Sequence, residues 1–382
     1  MPLEGLFTDT RKTSPSTDRK RMLCEISGVL GNPFPSAAQT SGHPHFPIIA
    51  DNTVDDAISS FYADRKSHVL AITATQGIGK TNLLNAYENA LQRELGDKGF
   101  FVIRYVADPD RFFDRLIISV LEYLGENHLR KSIEALSLKA NLEIDNILDN
   151  VRNAEVGTML RNLLKGKRSG TSEEDYYYLG YQWLLGLPIR KAHRELLGVN
   201  FRLDTVETKT RALRDMVYFS YSVGTLQGVF LLLDELEKGD TSSSSKTELL
   251  RYLQALRALI DALPQYLFLM LALTPDALNR YREMQPALKG RLANEVRLSP
   301  LRSESEALAI YECYLNHAQN EAASVAKENK WRIGKNILIS TDTAVATYRQ
   351  LLASKTVEGV RQRDYLNQLH RKANEKIEVI VQ

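Results

Sequence analysis

Four short runs of the chain are almost continuously apolar: 69–73, 100–106, 229–233 and 266–273. A half-exposed strand would alternate apolar and polar positions, so unbroken runs of this length predict strands buried on both faces of a parallel sheet. The intervening pattern changes to helical spacing. Residues 54–62 predict a helix ahead of the first strand. Leu83, Leu84, Tyr87, Ala90 and Leu91 mark one face of a second helix, which Gly96 closes. Phe112, Phe113, Leu116, Ile117, Val120 and Leu121 place a third over 112–124. The stretch 125–224 is too long for an ordinary crossover and is mostly helical, clearest at 144–164 and 208–221. It reads as a helical insertion with its main loop at 165–174. A serine run at 242–245 predicts a flexible loop, followed by a helix over 249–263. From residue 301 onward the pattern is all helical, in pieces at 303–327, 342–352 and 363–377. The expected organisation is therefore an α/β core over 46–300, its helical insertion at about 125–224, and a helical domain over 301–382. Residues 1–45, rich in Pro, Ser, Thr and Gly around one apolar patch at 22–30, predict a partly ordered arm.

Chemistry enters where the first strand ends. Ala74-Thr75-Gln76-Gly77-Ile78-Gly79-Lys80-Thr81 lies between a predicted strand and a predicted helix, the setting a P-loop requires. Backbone N–H groups of such a loop cradle phosphate oxygens at a helix N-terminus, where the dipole also favours negative charge. Gly77 and Gly79 admit close backbone approach, Lys80 would reach the β- and γ-phosphates, and the Thr81 hydroxyl would ligate Mg²⁺. Asn82 follows in the first helical turn as a further nucleotide-binding candidate. The motif's first glycine is here Ala74, which opens the loop and need not touch phosphate. A glycine turn before a surface helix would share the spacing, but not the flanking strand and helix together.

The run 229–233 ends in Asp234-Glu235, and ligands bind at the carboxyl ends of strands in open α/β sheets. This ending resembles a Walker B motif. The resemblance implies that Asp234 holds Mg²⁺ through water and that Glu235 polarises the attacking water. An adjacent acid favours hydrolysis over nucleotide storage. The fourth run ends at Thr274-Pro275-Asp276, where Thr274 is either a site residue or the N-cap of a following helix.

Composition adds mostly exclusions. A hydrophobic fraction of 43% and a charged fraction of 25% describe an ordinary globular chain. No apolar run approaches the length that crosses a bilayer, and the N-terminus lacks a signal pattern, so the expected location is cytoplasmic and away from membranes. Two cysteines and seven scattered histidines support no disulfide framework and no metal beyond Mg²⁺. A formal net charge of +2 neither demands nor forbids a nucleic-acid partner.

An α/β core with a P-loop, an acidic strand end and a trailing helical bundle resembles the initiator-like AAA+ ATPases. That resemblance implies a C-terminal helical lid over the nucleotide. It makes Thr274 the sensor 1 residue that helps orient the lytic water. It makes Arg291 the arginine offered to a neighbouring subunit's nucleotide, with Arg280 and Arg282 in reserve. Arg363, with Arg361 as the alternative, becomes the lid arginine, sensor 2. Within that group, Gly180-Tyr181-Gln182-Trp183-Leu184-Leu185-Gly186, Glu195-Leu196-Leu197-Gly198-Val199 and the Asp234-Glu235-Leu236-Glu237 ending look like the BREX-type ATP-binding proteins of prokaryotic phage defence. The implied activity is ATP hydrolysis with ATP and Mg²⁺ by a homo-oligomer, acting with DNA and a partner such as a helicase or nuclease. The competing expectation is a nucleotide-state switch, like the targeting ATPases of transposition, in which turnover is secondary.

Overall fold

The structure, a computed structural model, describes residues 15–36, 43–106, 112–169, 173–235, 246–354 and 359–381. These fall into two compact units. The larger comprises Ile48–Thr75 and Leu83–Leu298, and the smaller draws on Met1–Pro47, Gln76–Asn82 and Ser299–Gln382.

The larger unit is built on five strands: β1 (His68–Thr73), β2 (Phe100–Val106), β3 (Gly228–Asp234), β4 (Leu267–Leu273) and β5 (Glu295–Arg297). They form one sheet in the order β2-β3-β4-β1-β5, and every neighbouring pair is parallel. Every residue of β3 and β4 is buried, as their unbroken apolar runs require. The strand period divides them between two layers. Val229, Leu231 and Leu233 of β3 and the odd-numbered leucines of β4 join a single large core with the insertion helices. Phe230 and Phe268 turn the other way. They meet Phe61 of α2 (Ile49–Asp64) with ring centroids 5.1 and 5.6 Å apart, and Phe100 joins the same cluster. Edge-to-face contacts of this kind add about 0.5–1.5 kcal/mol each beyond area burial.

Strand order explains where a ligand can bind. The chain leaves β1 through α3 (Lys80–Leu95) and crosses β4 and β3 to reach the edge strand β2. Every later connection steps back across the sheet in the opposite direction. Right-handed crossovers then put α3 on the other face from α10 (Lys246–Ala262), which links β3 to β4. The connections leaving the neighbouring strands β1 and β4 run apart, opening a crevice at their carboxyl ends. β5 is absent from the apolar pattern because only Val296 of its three residues is buried. Polar contacts hold it instead: Thr73 Oγ1 donates to Glu295 Oε1 at 2.7 Å, and Arg282 reaches Glu295 Oε2 at 3.3 Å.

The regular elements of the insertion are all helices among the described residues: α4 (Phe112–Ser137), α5 (Asn141–Asp149), α6 (Ala154–Ser169), α7 (Glu173–Leu184), α8 (Lys191–Leu197) and α9 (Val206–Ser222). The first segment of α4 ends where predicted, at residue 124: Gly125 takes φ +76° and a second helical segment starts at once. The single helix predicted over 144–164 is two, broken at 150–153. There the buried Asp215 carboxylate accepts the Asn153 N–H at 2.7 Å and pairs with Arg214. The loop predicted at 165–174 is shorter: α6 continues through Ser169 and α7 begins at Glu173, with 170–172 outside the described residues. The serine run at 242–245 also lies outside them. Trp183 is fully buried and donates Nε1–H to the Phe201 carbonyl at 2.9 Å. Gly186, at φ +73°, lies so close to the Leu203 carbonyl that a Cβ would come within 2.3 Å of it. The Trp-Leu-Leu-Gly motif is thus a packing device that turns the chain at the end of α7.

His128 of α4 bonds to Ser220 Oγ of α9 at 2.9 Å and meets Phe101 edge-on. Burial, with Lys131 nearby, pushes its pKa down to about 4. The unfolded chain protonates this imidazole near the ordinary value of about 6.5, and the fold does so only near 4. Its contribution is therefore whole above pH 6.5 and is lost as pH falls towards 4, a loss of about 3 kcal/mol. Urea unfolding from pH 7 to 4.5 is expected to show that fall in the native protein and a smaller one in His128→Leu. Equal slopes would remove His128 from the acid response.

The smaller unit is a helical bundle of α1 (Pro15–Ser27), α13 (Glu304–Asn329), α14 (Thr341–Ala353) and α15 (Gln362–Val381). Ser303 and Ser340 cap α13 and α14 through their side chains. Tyr311, Tyr348, Tyr365 and Leu369 form the core with Phe34, which reaches it from the N-terminal segment. Leu23 and Val29 pack with Leu338 and Ile377. A short antiparallel bridge, Leu301 to Val360, fixes the approach to α15. Among the described residues, no helix is long and apolar enough to cross a membrane.

Candidate functional site

The glycine loop begins as an extension of β1. Ala74 is buried, and its N–H donates to the Leu273 carbonyl at 3.3 Å, so the position of the missing glycine is packed against the end of β4. Gly77 and Gly79 then take φ +84° and +114°, backbone that L side chains rarely adopt. Ile78 between them is buried and anchors the turn. α3 starts at Lys80 and has no acidic residue in its first turn. Positive-φ glycines feeding a sixteen-residue helix whose dipole end carries no carboxylate fit a phosphate group.

Within the smaller unit the start of α15 lies against this loop. Arg363 N–H donates to the Gly77 carbonyl at 3.1 Å. A Cβ on Gly77 would sit 3.5 Å from Arg363 Cβ, and one on Gly79 would sit 2.9 Å from Gln362 Oε1. Arg361 and Arg363 are both exposed. The lid-arginine candidates are thus beside the loop, joined by Gln362, which sequence reasoning did not single out. Asn82 is engaged differently: its side-chain amide donates to the Pro44 carbonyl at 3.2 Å. Thr81 is half-buried in the first turn of α3.

In the larger unit, Asp234 closes β3 at the carboxyl edge and is 2% exposed. It shares the face of Phe230, the face of the β1–α3–β2 crossover. Its Oδ1 accepts the Glu235 N–H at 2.9 Å, and its Oδ2 is bonded by Arg104 Nη2 of β2 at 2.5 Å. Glu235 takes φ +53°, a left-handed conformation that costs a non-glycine residue about 1–3 kcal/mol and clusters at functional sites. Hard oxygen donors at Thr81 and Asp234 suit Mg²⁺ in kind. The Asp234 carboxylate, however, already holds a cation, the Arg104 guanidinium.

Thr274 sits at the end of β4, the strand between β1 and β3, at the mouth of the crevice. Its Oγ1 accepts the Ala277 N–H at 3.3 Å and caps α11 (Pro275–Met284). The capping role and a site role are compatible, because the same hydroxyl can still donate its proton. Arg291 is engaged within its own chain. Nε pairs with Asp261 of α10 at 2.5 Å, and Nη1 bonds the Ala287 carbonyl. Arg282 is tied to Glu295 and to the Leu292 carbonyl. Arg280 is exposed.

Arg104 is the residue that sequence reasoning passed over. The signal was present as a single cation inside an otherwise apolar predicted strand. Its meaning needed the β2–β3 register, which pairs Arg104 with Leu232 and Val106 with Asp234.

The family model for the BREX system ATP-binding protein BrxC/D matches residues 110–312, more than half of the chain. That span holds the insertion, Asp234, Glu235, Thr274 and Arg291, and starts after the glycine loop. No curated protein and no solved structure matches the chain.

Proposed function

The chain belongs to the BREX system ATP-binding protein BrxC/D family, and on that premise we propose that it is an Mg²⁺-dependent AAA+ ATPase of phage defence. The observation that carries this reading is the carboxyl edge of one parallel sheet. There β1 runs into a loop with two positive-φ glycines and Lys80, and β3 ends in a buried Asp234 followed by a strained Glu235. In this reading the loop's N–H groups and Lys80 bind the phosphates, and Thr81 and Asp234 would hold Mg²⁺. The metal ion would supply charge neutralisation on the phosphate oxygens. Glu235 takes the proton of the attacking water, Thr274 orients that water, and Arg363 of the helical lid binds phosphate. A neighbouring copy contributes Arg291, which must first leave Asp261, so assembly and hydrolysis are coupled. A trans arginine of this kind is worth about 10³–10⁵ in rate. The domains follow the same reading: an N-terminal arm over 1–45, an ATPase core over 46–300 and the lid over 301–382.

Light scattering tests the assembly step. Mass is expected to rise from that of a monomer to a closed or filamentous oligomer with an ATP analogue, and further with duplex DNA. A monomer under every condition would remove the trans arginine. The internal pairing of Arg291 also favours a second reading, in which resting turnover is low and nucleotide state governs the recruitment of a cytoplasmic helicase or nuclease. The two part on Glu235→Gln, which preserves recruitment in the switch and abolishes function in the hydrolytic machine.

A further inference from the structure

Arg104 presents an arrangement that stability alone does not explain. It lies on β2 and shares a sheet face with Asp234, two residues along in register. Asp234 is buried and Arg104 half-buried, with side chains 3% and 14% exposed, and the pair is made through one nitrogen, Nη2, at 2.5 Å from Oδ2. Nη1 is also buried and has no hydrogen-bond partner among the described residues. Arginine placed only to neutralise a buried carboxylate would use both fork nitrogens and satisfy its remaining donors, since desolvating a charge is otherwise unrewarded. Here half the fork is left over. The other carboxylate oxygen accepts the Glu235 N–H, so an incoming cation, or the water it carries, must use the lone pairs left on this carboxylate beside the Arg104 charge.

We propose that Arg104 is the resting counter-cation of Asp234, holding the carboxylate in place and opposing by its charge the divalent ion that arrives with nucleotide. This rests on the reading of Asp234 as the metal-binding carboxylate. Two consequences follow from electrostatics. Arg104 lowers the affinity of the empty site for a lone divalent ion, because the guanidinium charge repels a second cation at the same carboxylate. It also keeps a buried carboxylate from standing unpaired when the site is empty.

The experiment titrates Mg²⁺ at fixed fluorescent ATP analogue and reads binding, not turnover, in the full chain. In Arg104→Met, which keeps the apolar stem without the charge, the half-saturating Mg²⁺ is expected to fall by about 5–150-fold, the span typical of a coupling free energy. Arg104→Lys, shorter and confined to a point charge, is expected to fall between Met and the native protein. Melting temperature gives a second readout: Mg²⁺ raises it more in Arg104→Met than in the native chain. If the methionine variant does not fold, Arg104→Lys carries the test in the same direction. An unchanged or higher Mg²⁺ requirement in the folded variant overturns the proposal and leaves Arg104 as a clamp that orients Asp234. If the native chain binds no analogue at any Mg²⁺ concentration, the nucleotide site itself fails and the Arg104 proposal with it. Analogue binding with an unshifted Mg²⁺ requirement overturns Arg104 alone.

Discussion

Lys80→Ala is expected to weaken ATP binding by about 10²-fold or more while leaving the fold intact. The two halves of that expectation have separate causes. Lys80 is the first residue of α3, a position where the helix dipole disfavours a cation. Alanine is also the better helix former by a few tenths of a kcal/mol. Helix propensity and the helix dipole therefore both favour alanine over lysine at this position. Charge-assisted contacts to phosphate are worth about 1.5–3 kcal/mol each, so losing a lysine that reaches two phosphates predicts a loss of about 10²-fold or more in affinity. Isothermal titration with ATP and a thermal melt on the same sample measure both halves. A melting temperature that falls together with affinity would make Lys80 a structural residue and move the phosphate site elsewhere. Arg363 supplies an internal comparison: it touches the loop through its own N–H, which Arg363→Ala preserves, so that variant tests the side chain alone.

The same contrast between local preference and observed placement marks what was legible in the sequence. β3 and β4 could be read because strands buried on both faces leave no polar positions to confuse the pattern. β1 and the glycine loop could be read because Gly77 and Gly79 sit where backbone must turn through positive φ. β5 could not, since three residues with one buried side chain carry no period. Strand order was equally hidden: nothing local to β2 states that it lies at the edge beside β3. Without that order Arg104 is only an odd residue in an apolar run, and Asp234 looks unencumbered. Arg291 shows the same limit, because it lies in a turn and its partner Asp261 is thirty residues earlier, on α10. A helix break was missed where a buried carboxylate intervened, at Asn153 beside Asp215, whereas the break at Gly125 fell at the predicted helix end. Periodicity reports which face is buried, and long-range polar pairing decides what the buried face can do.

Glu235 allows that argument to be tested with two substitutions that pull in opposite directions. Its φ of +53° strains any residue with a Cβ. Glu235→Gly should therefore relieve about 1 kcal/mol and raise the melting temperature by a few degrees or less. Glu235→Gln keeps size and backbone but cannot accept the proton of an attacking water. If Glu235 is the general base, both variants lose hydrolysis by about 10²–10⁴-fold, the usual worth of a positioned base. Both should still bind ATP, because the phosphate contacts come from the glycine loop and Lys80. Single-turnover hydrolysis with saturating ATP separates the chemical step from product release, and a binding titration confirms that the site is filled. The diagnostic result is a glycine variant that is more stable and inactive: strain retained against the interest of the fold, in exchange for a carboxylate held at the sheet's edge. A glycine variant that is more stable and fully active would reduce Asp234-Glu235 to the acidic turn at the end of a strand. Hydrolysis would then need another base, with Thr274 and its free hydroxyl proton unable to serve as one.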